Sequence, residues 1–373
     1  MTCCFIALLG WCMNAEGQSV SSQSKGRTTN AKYSWEIDNY CADMCEDQNN
    51  LWIATSLGLV QMNKVTGEKK TWTTSDGLPD NDLLSVAKDT KNNLWIGTMY
   101  NGVAKWDGQK WTYYTQDNSG LFTNQWNTRI AFGPDGKTWI GTLLKVESFD
   151  GETWASYTSP KWQGAEYWFV YCFKFDSKGQ LWIGGTAPDW SLATLTDGSF
   201  KILDNGVAVT AMDEAADGTM WLARDGALYI WKDGALVKQD TGNSLTGGIR
   251  DIKFDSKGVL WIASGENLVK MENGELTVMA TCEKNISRVL PESDGSVWVG
   301  SYGGDIFRYV PESTKMAKWL TGISGASTGM EQAQKVEYFD LSGKQMSGKV
   351  RGLEIEKKTF KNGRSIGKKI WVK

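Results

Sequence analysis

Three features of the sequence predict an all-β chain, built as a seven-bladed β-propeller with a small β-strand module after it. A Leu-Trp-Ile-Gly-Thr-like pentad recurs seven times at intervals of 37 to 44 residues, the length that four short strands and their turns require. A turn rich in Asp, Asn, Lys and Gly precedes each copy. Trp is abundant, at 20 of 373 residues. A buried indole removes about 150–250 Å² from water, on the order of 4–6 kcal/mol gross at about 25 cal/mol per Å². One such ring at a fixed place in every repeat is enough to specify a core.

Taken in chain order, residues 1–17 come first. Phe5 to Trp11 is a short apolar run followed by small and polar residues. It is too short to span a membrane and has the form of a secretory signal peptide, cleaved after Ala15 or Gly17, although no charged residues precede it. Cys3, Cys4 and Cys12 fall in that segment. Cys41, Cys45, Cys172 and Cys282 remain, as buried thiols or as one disulfide with two thiols left over. Residues 18–32 form a linker, and the propeller is expected over 33–320.

Its first outer strand, Tyr33 to Ile37, stands where it can pair with the last blade and close the ring, with Lys315 to Leu320 as the alternative. The pentads run from Leu51-Trp52-Ile53-Ala54-Thr55 through Leu94-Trp95-Ile96-Gly97-Thr98, Thr138-Trp139-Ile140-Gly141-Thr142 and Leu181-Trp182-Ile183-Gly184-Gly185. They continue as Met220-Trp221-Leu222-Ala223, Leu260-Trp261-Ile262-Ala263-Ser264 and Val297-Trp298-Val299-Gly300-Ser301. Before the Trp come turns such as Asp176-Ser177-Lys178-Gly179 and Asp255-Ser256-Lys257-Gly258. There Asp satisfies the turn backbone and Gly takes the positive φ. These Asp residues form an acidic array whose expected role is to build hairpins away from the ligand face. The Gly or Ala after each Trp-Ile pair leaves room where blades crowd near the axis.

This repeat resembles the two-component-regulator propeller repeat of periplasmic sensor regions in hybrid histidine kinases, over about residues 33–310. The resemblance implies a sugar-sensing propeller. The chain departs from those sensors in carrying no transmembrane helix, kinase or DNA-binding segment, so it is not expected to signal across a membrane alone.

After a small-residue linker at 321–334, residues 335–373 hold 11 Lys/Arg against 4 Asp/Glu in a chain of net charge −3. Val336–Lys344, Gly352–Lys357 and Lys368–Lys373 alternate with period two and predict three short strands. This segment resembles the C-terminal sorting domain of type IX secretion cargo, with Leu353 where Tyr is usual. That resemblance implies an outer-membrane secretion machinery as partner and an extracellular or surface-attached location.

Composition narrows the chemistry. The absence of His removes Ser-His-Asp triads, Cys-His pairs and His-ligated zinc. No cofactor or metal is expected, and the acidic balance offers no field for nucleic acid. Candidate ligand residues are therefore large side chains that break the repeat on the face shared by the inter-blade and second-to-third-strand loops. They are Trp126, Trp162, Tyr167, Trp168, Tyr100, Trp190 and Tyr302, rings suited to stacking on sugars, each weighed against inter-blade packing. Arg129, Arg250 and Arg288 fall in innermost strands and either pair with carboxylates such as Asp251 or meet an anionic group. An arginine trio is also found in sialidases, but seven blades and the lack of a placed Tyr/Glu pair argue against that chemistry. The expected function is non-catalytic recognition of a glycan or another extracellular ligand. The alternatives are a polysaccharide-degrading enzyme using carboxylates and Tyr, and a scaffold or detached sensor of a split signalling system.

Overall fold

The computed structural model describes residues 40–159, 169–187, 190–242 and 245–310, together with strands at 34–36, 315–317, 335–339, 345–346, 352–359 and 365–372. Six four-stranded antiparallel sheets and one five-stranded sheet follow one another as seven blades, and a further four-stranded sheet lies after them. In each blade the first strand is innermost and the pentad forms the second. Blade one, for example, runs Asp43–Glu46, Asn50–Thr55, Gly58–Asn63 and Lys69–Trp72. No helix among the described residues is long and apolar enough to cross a membrane.

The turn before each pentad does more than reverse the chain. In four blades one oxygen of the turn Asp accepts backbone N–H bonds while the other accepts the indole N–H of the pentad Trp. Asp47 holds Trp52 at 2.8 Å, Asp89 holds Trp95 at 3.0 Å, Asp176 holds Trp182 at 2.9 Å and Asp255 holds Trp261 at 3.0 Å. One carboxylate thus sets both the hairpin and the orientation of the ring, and the donor that burial would otherwise strand is satisfied. Against the cost of burial, the bonds from Trp52, Asn49 and Lys88 hold Asp47 well below the usual carboxylate range.

The small residue after each Trp-Ile pair faces the next blade. A Cβ on Gly97 would stand 2.2 Å from the Asn127 carbonyl oxygen, and one on Gly141 would stand 2.7 Å from Val170 Cβ. Both expected closing strands are used. Ser34–Glu36 pairs with Asp305–Phe307, and Lys315–Ala317 pairs with Arg308–Val310, so the two segments share one edge of the blade-seven third strand. The module after the propeller has four strands where the alternation predicted three. Gln345–Met346 returns antiparallel to Tyr338–Phe339, beside Gly352–Thr359 and Ser365–Val372. A two-residue strand carries too little alternation to be read from sequence.

Candidate ligand site at the channel mouth

The site begins with a repeated irregularity. In blades two, four, five, six and seven the innermost strand carries one extra residue opposite the pentad strand, at Leu84, Tyr171, Thr210, Arg250 and Ser287. A bulge of this kind re-aims the side chains around it. The next residue in every blade then sits opposite the small residue of the pentad. These are Asp43, Ser85, Arg129, Cys172, Ala211, Asp251 and Arg288, one per blade.

This layer ties each blade to the next. Asp43 accepts from Val86 N at 3.3 Å, Ser85 donates to Asn127 O at 2.9 Å, and Arg129 Nε donates to Tyr171 O at 2.5 Å. Asp251 accepts from Val289 N at 3.1 Å, and Arg288 closes the circle onto Asp43 at 3.4 Å. Where blade five has only Ala211, Thr210 donates to Ile249 O at 2.8 Å instead.

Within the circle lies a chamber of about 330 Å³ to which all seven innermost strands contribute, including Asp43, Lys88, Arg129, Arg250, Asp251 and Lys253. A second cavity of about 130 Å³ shares Arg129, Tyr171 and Arg288 with it and opens between Tyr40, Trp126 and Tyr302. The rim rings are placed by packing: Tyr302 stacks on Tyr40 at 6.0 Å, and Trp126 leans on Phe169 at 5.1 Å. Trp126 adopts φ +55°, a left-handed conformation that a bulky residue rarely takes. Its amide is held by Met99 O at 2.8 Å. The neighbouring Asn127, fully buried, donates to Thr98 O, Gly102 O and Asn124 O at 3.0–3.1 Å. The loop is over-determined, so strain at Trp126 persists and its ring keeps its aim.

The arginines divide by partner. Arg288 pairs with Asp43, not Asp251. Although burial lowers it, the fields of Asp43 and Asp251 raise its affinity for the proton overall. Among the described residues Arg129 bonds only carbonyl oxygens, those of Tyr171 and Thr128. Burial and the like charge of Arg288 pull it below the usual guanidinium value. Arg250 lies 5.7 Å from the Tyr302 ring and makes no ion pair among the described residues. Burial pushes the Asp251 carboxyl up, with Lys253 and Arg288 opposing.

Of the residues expected from sequence, Trp126, Tyr302, Arg129 and Arg250 therefore come together at the channel. Tyr100 is exposed but lines neither cavity. Trp190 is a correction, because it is fully buried, packs on Phe200 at 5.6 Å and belongs to the core between blades three and four. Its blade has Gly185 where five of the seven pentads end in Thr or Ser, and a Cβ there would stand 3.0 Å from the indole. The missing side chain makes room for the ring. Trp162, Tyr167 and Trp168 lie outside the described residues. Sequence reasoning passed over Tyr40 and Tyr171, the latter turned toward the channel by the bulge. The four cysteines at 41, 45, 172 and 282 are free thiols, and burial pushes Cys41, Cys172 and Cys282 up to about 12.

Fold and mouth together define a propeller with a charged axial chamber under an aromatic rim. The family model of the two component regulator propeller matches residues 77–100, part of one repeat. The extracellular domain of a protein assigned as a hybrid two component system of B. thetaiotaomicron superposes with a TM-score of 0.60 at 16% identity, over 92% of this chain and 49% of that one. The chain thus spans about half the length of that domain. A streptogramin B lyase superposes at 0.59 with 15% identity, over 74% of this chain and 95% of the lyase. A catalytically inactive His-to-Ala variant of virginiamycin B lyase from Staphylococcus aureus, with quinupristin, gives 0.61 at 12%, over 74% and 98%. At these identities the likeness is one of fold. No curated protein matches the sequence.

Proposed function

We propose that this chain is an exported, non-catalytic recognition propeller that binds a glycan or other extracellular ligand at the channel mouth. The observation that carries the reading is the group of rings, half-buried Tyr40, Trp126 and Tyr171 with exposed Tyr302, around an opening that leads into a polar chamber. Aromatic faces suit the apolar faces of sugars, and the convergent polar groups below suit hydroxyls. The extracellular domain that shares the fold favours a sensor or recognition role outside the cell. Residues 335–373, by their resemblance to a sorting domain, and the signal-like segment at 1–17 fit export.

The lyases favour a second reading, catalysis on the same fold. Their inactive form lacks one histidine, whereas this chain has none at all. Any chemistry here would run without an imidazole, on groups such as carboxylates, Tyr or Lys, and Asp43 and Asp251 of the chamber are engaged in holding blades together.

A glycan array followed by calorimetry on the full chain tests the proposal. Binding should fall at least tenfold in Trp126→Ala and Tyr302→Ala, and in Trp162→Ala or Trp168→Ala if that loop joins the rim. Binding untouched by all four changes would refute the rim assignment, and turnover of any polysaccharide would promote the enzyme. Fractionation of cells with and without residues 335–373 tests export, and unchanged surface display after truncation would remove the sorting role.

A further inference from the structure

The charges of the chamber do not balance. Lys88 is matched by Asp47 at 3.0 Å, and Arg288 by Asp43 at 3.4 Å. Lys174, on the innermost strand of blade four, is matched by Asp213 at 2.5 Å. Lys253 is stabilised as a cation by Asp251 first and Asp213 second, against burial. Arg129 and Arg250 remain. Neither has a carboxylate partner among the described residues, and both line the chamber. Isolated charges removed from water are costly unless paired, and these two persist in a chain whose net charge is −3. Arg129 spends Nε and Nη1 on backbone oxygens, which leaves Nη2 for a ligand. Arg250 is placed by the bulge and rests against Tyr302, its fork unspent among the described residues. A guanidinium is the side chain best suited to a planar or tetrahedral oxyanion.

We propose that the chamber is an anion subsite, and that the ligand enters end-on with a terminal acidic sugar whose carboxylate or sulfate meets Arg129 and Arg250 while the following sugars stack on Trp126 and Tyr302. This rests on the rim reading above and names its ligand class. The chamber volume of about 330 Å³ lies at the small end of ligand pockets. It admits one sugar ring with its charged group and excludes a long chain lying flat.

The test is calorimetry on the full chain with three probes: trigalacturonate, its fully methyl-esterified form, and a sulfated chondroitin disaccharide. Trigalacturonate or the sulfated disaccharide should bind at least tenfold more tightly than the neutral ester, and whichever of the two binds identifies the anion as carboxylate or sulfate. Arg250→Gln should weaken the acidic probe about 10- to 100-fold, the scale of a lost charge-assisted hydrogen bond. The neutral probe should be unchanged. Arg250→Lys should recover part of the loss, and the Arg250 variants should melt with the parent because Arg250 makes no hydrogen bond among the described residues. Arg129→Gln gives a second arm, judged by the same acidic-to-neutral ratio so that a general loss of folding is not mistaken for lost recognition. Equal binding of acidic and neutral probes, or an unchanged ratio in both variants, overturns the anion subsite. In that case a loss of binding in Trp126→Ala still supports the rim. If acidic probes bind and respond to Arg250→Gln but not to Trp126→Ala or Tyr302→Ala, the rim reading falls and the subsite stands. Failure of every probe to bind overturns both.

Discussion

Glu147 offers the sharpest test of the energetics, because blade three places a carboxyl where five other blades bury Val60, Ala104, Ala193, Val269 and Phe307, and blade five half-buries Tyr229, in register with the same pentad position. Its side chain is fully buried, and Ser156 Oγ lies 3.0 and 2.8 Å from its two oxygens. Burial pushes it up from 4.5 to about 7, with bonds from Ser156 and the Phe122 amide opposing. At 1.36 kcal/mol for each pH unit, ionising the folded form costs about 3 kcal/mol. Below pH 4.5 the folded and unfolded chains both hold the proton and the site is neutral in effect. As pH rises from 4.5 to 7 the unfolded chain releases it while the folded chain keeps it, so stability falls across that window and stays reduced above it. Glu147→Gln keeps an acceptor for the Phe122 amide and removes the ionisation. The variant should be more stable than the parent by up to about 3 kcal/mol at pH 8 and nearly equal to it at pH 4.5. With a urea m-value of about 3 kcal/mol/M, the midpoint should move up by about 1 M at pH 8. Equal midpoints at pH 8, or a gain that persists unchanged at pH 4.5, would refute the reasoning, since a change of shape alone has no reason to follow the titration.

Four further outcomes follow from the repeat. Gly97→Ala should destabilise by about 1–3 kcal/mol in urea unfolding, because the added methyl meets a backbone oxygen that cannot rotate away. Asp255→Ala should cost more than Asp217→Ala, by about 1–2 kcal/mol, since Asp255 holds the Trp261 indole and two amides while the bonds seen from Asp217 stay within its turn at Thr219. Trp190→Ala should lose about 3–5 kcal/mol of stability and leave the affinity of the folded fraction intact, whereas Trp126→Ala should do the reverse; a binding defect in Trp190→Ala with normal melting would return that ring to the ligand face. Iodoacetamide at pH 8 should leave Cys41, Cys172 and Cys282 unlabelled until urea unfolds the chain, because burial pushes their thiols up to about 12.

The fold was legible because its cause is local. In four blades the turn Asp and the Trp it anchors lie within seven residues of one another, and every blade writes its turn and pentad in one stretch of sequence. The innermost layer is almost as regular, with its member ten residues before the Trp in six blades and nine in the first, Asp43 before Trp52. That offset points to Arg129, Asp251 and Arg288. It does not show Tyr171, whose strand would alternate differently were it not for the extra residue beside Val170. Nor does it show Tyr40, which precedes the first blade and meets Tyr302 of the last only when the ring closes. Trp190 misled because a ring before a third strand looks like loop, and the sign of its burial was an absence, Gly185 in place of the Thr or Ser that ends five of the seven pentads.

The same cyclic order explains which arginines stand without a carboxylate partner among the described residues. Around the layer Arg288 stands between Asp251 and, across the closure, Asp43, so it has a carboxylate on either side. Arg129 stands between Ser85 and Cys172, which offer it no charge. Arg250 sits one residue above the layer, on the bulge, and turns to Tyr302 instead. Both neighbours of Arg288 are assigned by counting from the pentads, but their meeting depends on the last blade abutting the first, 245 residues apart in sequence. A seven-fold scaffold distributes its charges by position. The positive excess beneath the rim is therefore a property of which residues occupy two blades, three and six, and it can be changed there without disturbing the Trp and Asp pairs that make the blades.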